Sequence, residues 1–132
     1  MADVPSKVHR RAFDLRRISK NWSSFFSRRR GEQYCGLTTP QLVALVEQQG
    51  GRCALTGVPL TRIRGLGRDI QCPTNASVDR INPGGTYEIS NIQLVCSCVN
   101  SLRGRLSIED FVEWCRRVVT THDYRALQKL PV

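Results

Sequence analysis

The chain has no apolar run approaching the ~20 residues that a membrane-spanning helix needs. Its basic N-terminus, MADVPSKVHRRAFDLRR, is not followed by the apolar stretch of a secretory signal. Both absences point to a cytoplasmic protein with no membrane among its partners. Internal repeats and low-complexity linkers are also missing. A length of 132 residues fits one domain of the common size, ~100–150 residues, and the expectation is that no second catalytic domain accompanies it. Histidine is scarce, with His9 and His122 the only two. Hydrophobic residues, at 40%, are plentiful enough for a modest core, which excludes a wholly disordered tail.

Acidic residues are the next shortage: eleven Asp and Glu face twenty Lys and Arg, for a formal charge of +9. Residues 1–30 carry a net +7 of this, leaving +2 for the other 102. The charge is therefore an arm, and a polyanion is its natural partner, because cations that displace counterions from phosphates supply most non-specific nucleic-acid affinity. A solvated helix face that aids only solubility is the plainer alternative.

Six cysteines, at 35, 53, 72, 96, 98 and 115, are an even number without the secretory context that a disulfide framework requires. Cys115 falls on the apolar stripe of a predicted helix, where a thiol packs as a small hydrophobe.

The pattern predicts a compact α+β fold. Ser6 to about Phe26 reads as an amphipathic helix with Val8, Ala12, Leu15, Ile18, Trp22 and Phe25/Phe26 on one face and cations on the others. The Arg28-Arg29-Arg30-Gly31 run ends it. Thr38-Thr39-Pro40 opens a second helix that stops at Gly50-Gly51. Residues 76–96 read as a two-stranded hairpin with a long irregular connection marked by Asn82-Pro83-Gly84-Gly85. A short helix follows, from near Cys98 or Val99 to Gly104. Ser107-Ile108-Glu109-Asp110 then caps a last helix whose Ile108, Phe111, Val112, Cys115, Val118 and Val119 are expected to form a buried stripe. The boundaries are a basic arm at 1–34, a core at 35–120 and a tail without clear period at 121–132.

The stretch ASVDRINPGGTYEISNIQLVCSCVNSLRG, residues 76–104, carries the chemistry. Asp79 offers a hard carboxylate and Asn100 a carbonyl oxygen, donors suited to a Mg²⁺-like cation that keeps most of its waters. Read alone, Asp79 could be a turn-initiating acid and Asn100 a helix cap. Together with a C-x-L-T-G-x-P-L strand before it and an S-x-E-x-F helix after it, the stretch resembles the ββα-metal nucleases. Within them it resembles the HNH branch of small phage and mobile-element endonucleases. The resemblance, spanning about Leu37 to Arg117, implies a ββα-metal core of hairpin and metal-binding helix, flanked by the basic helix and a C-terminal covering helix. It implies a metal-dependent DNA endonuclease with Mg²⁺ or Mn²⁺ on Asp79 and Asn100, and an orienting role for Asn91 across the hairpin connection. Replacing Asp79 or Asn100 is accordingly expected to remove cleavage and spare the fold.

Arg80 departs from the family, which places a histidine base there. A guanidinium with its pKa above ~12 cannot accept a proton from water. Either the catalytic base has been lost, or another group activates the water. Tyr87 is the candidate, since a neighbouring guanidinium favours the phenolate. A packing tyrosine at the hairpin end is the competing reading. Loss of the base would leave a catalytically inactive nuclease-derived module that binds nucleic acid or protein.

Only the first cysteine of each zinc knuckle common in this family survives, Cys53 and Cys96, and two ligands do not close a tetrahedral site. That count argues against structural zinc and for a dry Cys53–Cys96 contact. Arg10, Arg11, Arg17, Lys20, Arg28, Arg29 and Arg30 in the arm, and Arg62, Arg64, Arg68 and Arg103 beyond it, are the candidate contacts to DNA phosphates, double-stranded DNA being the expected partner. A single centre cuts one strand per engagement, so double-strand cleavage would need a homodimer or sequential nicking. No protein partner can be named from sequence.

Overall fold

The structure is a computed structural model and describes residues 18–29, 36–64 and 72–129, without the side chains of Arg28, Arg29 and Leu127. Arg10, Arg11, Arg17, Arg30, Arg68, Cys35 and the first part of the predicted arm helix lie outside the described residues. The described chain is mixed α+β. Helices α1 (Trp22–Arg29) and α2 (Thr39–Gln48) precede an antiparallel pair, β1 (Ala76–Arg80) and β2 (Ile92–Cys96), and helices α3 (Ser97–Arg103) and α4 (Ile108–Gln128) follow. No described helix is long and apolar enough to cross a membrane.

The predicted arm helix does not run unbroken to Phe26. Residues 18–21 are non-helical: Ile18 bridges Ile63, and Ser19 N–H donates to Arg62 O at 2.9 Å. Asn21 opens α1, its Oδ1 accepting from Ser24 N–H at 2.8 Å, as an asparagine cap does. Phe25 and Phe26 are buried, and Trp22 stacks on Phe26, so the aromatic face docks on the core as expected. The α2 cap is a full capping box, in which Thr38 Oγ1 accepts from Gln41 N–H and Gln41 Oε1 accepts from Thr38 N–H. Leu42 and Val46, one turn apart, carry its buried face.

The hairpin register pairs Ala76 with Cys96, Val78 with Leu94 and Arg80 with Ile92. Successive residues alternate sides. Ala76, Val78, Leu94 and Cys96 therefore share one face, and Ser77, Asp79, Gln93 and Val95 share the other. The outer edge of β2 is closed by a side chain: Gln49 Oε1 accepts from Leu94 N–H at 2.9 Å and Gln49 Nε2 donates to Leu94 O at 2.9 Å. Buried Asn75 acts likewise on the 61–63 segment, accepting from Ile63 N–H and donating to Ile63 O, both at 2.8 Å.

The C-terminal helix differs most from expectation. It continues through residues 121–128, where no apolar period is visible, and its stripe is not buried. Ile108 and Phe111 are half-buried, whereas Val112, Cys115, Val118 and Val119 are exposed. The core ends after the first turn of α4, and the rest of the helix extends past its edge. Cys115 is accordingly not a core thiol.

Candidate functional site

The hairpin connection is held by asparagines. Asn82 Oδ1 accepts from Gly84 N–H and Asn82 O accepts from Gly85 N–H, each at 3.0 Å, which closes the turn predicted at Asn82-Pro83-Gly84-Gly85. Asn91 then spans the connection. Its Oδ1 accepts from Asn82 N–H at 2.9 Å, and its Nδ2 donates to Asn82 O at 3.1 Å and to Thr86 O at 2.9 Å. Gly85 leaves room for that amide, since a Cβ there would lie 2.6 Å from Asn91 Nδ2. Every hydrogen-bonding atom of the Asn91 amide group is thus used to fix the end of β1.

Asp79, at that strand end, is 5% exposed. Its Oδ2 accepts from Arg103 at 2.5 Å and from Gln93 Nε2 at 3.0 Å. Among the described residues its Oδ1 has no hydrogen-bond partner. Asn100 sits inside α3 rather than at its cap, because the helix begins at Ser97. Both hydrogens of its amide are committed to β1, to Ser77 Oγ at 2.7 Å and to Val78 O at 3.1 Å. The backbone oxygen of Asn100 accepts from Gly104 N–H at 3.2 Å, and its side-chain Oδ1 has no hydrogen-bond partner among the described residues. Since Ser77 shares the Asp79 side of the strand, α3 brings the two hard oxygen donors to one face. These donors suit a small divalent ion bound through one or two protein oxygens and its own waters.

Arg103 is not the surface phosphate contact expected from its charge. Its side chain is fully buried, and besides Asp79 it donates to Arg80 O at 2.8 Å, Ile81 O at 2.6 Å and Leu106 O at 2.9 Å. A planar fork of five donors can satisfy such a set, whereas an ammonium cannot. Gly104, at φ +56°, ends the helix behind it.

Arg80 faces the other side of the strand. Its guanidinium lies 5.0 Å from the centroid of the Tyr87 ring and donates to Gly85 O at 3.0 Å. The pair lines an open groove of about 680 Å³ together with Leu37, Gln41, Thr86 and Glu88. The expected Arg80–Tyr87 neighbourhood is therefore present. It adjoins the Asp79–Asn100 face only at the end of β1, where Arg103 bonds Asp79 and the Arg80 carbonyl together.

The other cations are disposed unevenly. Lys20 is exposed. Arg62 donates to Ser19 O and lies over Trp22, and Arg64 donates to Ser19 Oγ and Ser24 O. These two arginines tether the 18–29 segment to the 61–64 segment, a structural duty that sequence did not disclose.

Cys53 and Cys96 are neighbours in the core, Cys96 N–H donating to Cys53 Sγ at 3.3 Å. Burial pushes the Cys53 thiol up, but bonds from the Thr56 side chain and from the backbone N–H groups of Cys96, Leu55 and Thr56 outweigh it and hold its pKa below the ordinary value. Burial, then the adjacent Cys53, pushes Cys96 up to about 12. Among the described residues no group of three or more His, Cys, Asp or Glu is arranged around a metal position. Labelling of the native protein with a maleimide is expected to modify the exposed Cys98 and Cys115, Cys98 slowly at neutral pH because burial raises its pKa. Cys53, Cys72 and Cys96, all buried, should react only on unfolding. Prompt labelling of Cys53 or Cys96 in the folded state would contradict their placement.

Comparison of the chain with family models, curated proteins and solved structures returns no match.

Proposed function

We propose that this protein is a metal-dependent endonuclease of HNH type that hydrolyses phosphodiester bonds in DNA. The observation that carries the reading is the Asn100 side-chain amide, whose two hydrogens are tied to Ser77 and Val78 of β1, on the strand whose Ser77 side also carries Asp79. Asp79 and Asn100 would hold a Mg²⁺ or Mn²⁺ ion, which when bound supplies charge stabilisation for the scissile phosphate and the leaving 3′ oxygen. Gln93 and Arg103 fix the orientation of the Asp79 carboxylate. Asn91 keeps the strand end and the connection in register. Arg80 offers a guanidinium to a phosphate oxygen, and Tyr87, whose ring lies against that guanidinium, is assigned the role of taking the proton from water.

The test is nicking of supercoiled plasmid with and without Mg²⁺ or Mn²⁺. Asn100→Ala should abolish metal-dependent nicking while leaving the circular dichroism spectrum unchanged. Cleavage by this variant at the wild-type rate would remove the metal assignment.

The buried Asp79–Arg103 pair favours a second reading. A carboxylate already neutralised by a guanidinium is a weaker cation ligand, as expected of a nuclease-derived module that binds nucleic acid and no longer cuts it. DNA binding without cleavage in any divalent ion would select that reading.

A further inference from the structure

We infer that α4 is a self-association surface through which two copies of the chain pair antiparallel. Val112, Trp114, Val118 and Val119 each expose more than half of their surface, and Cys115 is exposed among them. At 3.6 residues per turn these positions continue the side of the helix that carries Ile108 and Phe111. One stripe therefore docks on the core at its N-terminal end, and for the rest of its length no other described residue covers it. Contiguous exposed apolar side chains, as opposed to single scattered ones, mark an interaction site.

The charges beside the stripe identify the partner. Arg116, which bonds Glu113 on its own helix at 2.6 Å through an exposed pair that a second copy can exchange, and Asp123 lie two turns apart on one flank. Laid against a second α4 running the opposite way and centred near Val119 and Thr120, each Arg116 meets the Asp123 of the other copy. The same two-fold operation produces both contacts, as an isologous interface requires. A parallel arrangement in register would instead oppose like charges. Glu109 and Asp110 in the first turn of the helix and Arg125 in its last turn give the helix the same polarity. A pair of helices of this length yields an interface at the low end of stable dimers, near ~1,000 Å² in total, so association is expected at micromolar concentration.

Sedimentation velocity on the full chain from about 1 to 100 μM tests the inference. A monomer at the bottom of this range that becomes a dimer toward the top is the expected result. Val118→Glu, at a side chain exposed in the monomer, should abolish association without altering the fold. Arg116→Asp and Asp123→Arg should each weaken it by tenfold or more, and the double exchange should restore it, which general damage to the helix would not do. The rate of Cys115 labelling should also fall as dimer forms. A monomer at every concentration, whether its α4 face is bare or covered by the chain's own N-terminal arm, would overturn the inference. So would a dimer indifferent to Val118→Glu, or a double exchange no better than the single ones. None of these readouts depends on nuclease activity.

Discussion

Replacing Arg103 with methionine will destabilise the protein by about 3–5 kcal/mol, the usual loss when one member of a buried ion pair is removed and the other is left charged. The residue is fully buried, and its departure strands the Asp79 carboxylate and three backbone carbonyls at once. Urea denaturation followed by circular dichroism measures the loss. Adding Asp79→Leu to Arg103→Met should recover much of the stability, since an apolar pair in place of a buried ion pair is often neutral or better. A single variant within about 1 kcal/mol of wild type would show that the pair is not held as described, that being the range of an exposed salt bridge. The same geometry corrects the expectation that Asp79 can be truncated without harm to the fold. Asp79→Ala leaves Arg103 uncompensated, so Asn100→Ala is the cleaner probe of ion binding.

The other large effect concerns Tyr87. If its oxygen takes the proton from the attacking water, Tyr87→Phe should slow cleavage by about 10²–10⁴, the usual worth of a general base. The phenylalanine ring would still sit under the Arg80 guanidinium, 5.0 Å from the ring centroid in the native site, so packing is preserved and the loss can be assigned to one oxygen. Arg80→His should retain or raise activity and shift the pH–rate profile toward a group titrating near ~6.5. An unchanged rate in Tyr87→Phe would leave the tyrosine a packing residue. Activity in Arg80→His alone, with none in wild type, would show that catalysis had been given up.

Much of this site could be read before any coordinates. Thr38 and Gln41 announce a helix start by their spacing, and Asn82-Pro83-Gly84-Gly85 can hardly be anything but a turn. Asn91 had to lie near that turn once the two strands were recognised. Arg103 was misread because sequence records a charge without its burial, and charged side chains are mostly exposed. The Asn21 cap was hidden inside an apolar period that ran straight across it. On α4 the stripe was read correctly as one face of a helix, but periodicity states which residues lie together and not whether anything covers them.

Gln49 bears on how the chain folds. A two-stranded ribbon is at best marginal by itself, and here the free edge of β2 is completed by a side chain 45 residues earlier. The ribbon cannot reach its final stability until the end of α2 has closed that loop, and α2, packed on α1 as well, gains the rest of its buried partners only when the ribbon is present. Each element withholds its stabilisation until the other arrives. A transition state that contains both is the expectation, with folding slowed by this distant encounter more than by the local turn at Asn82.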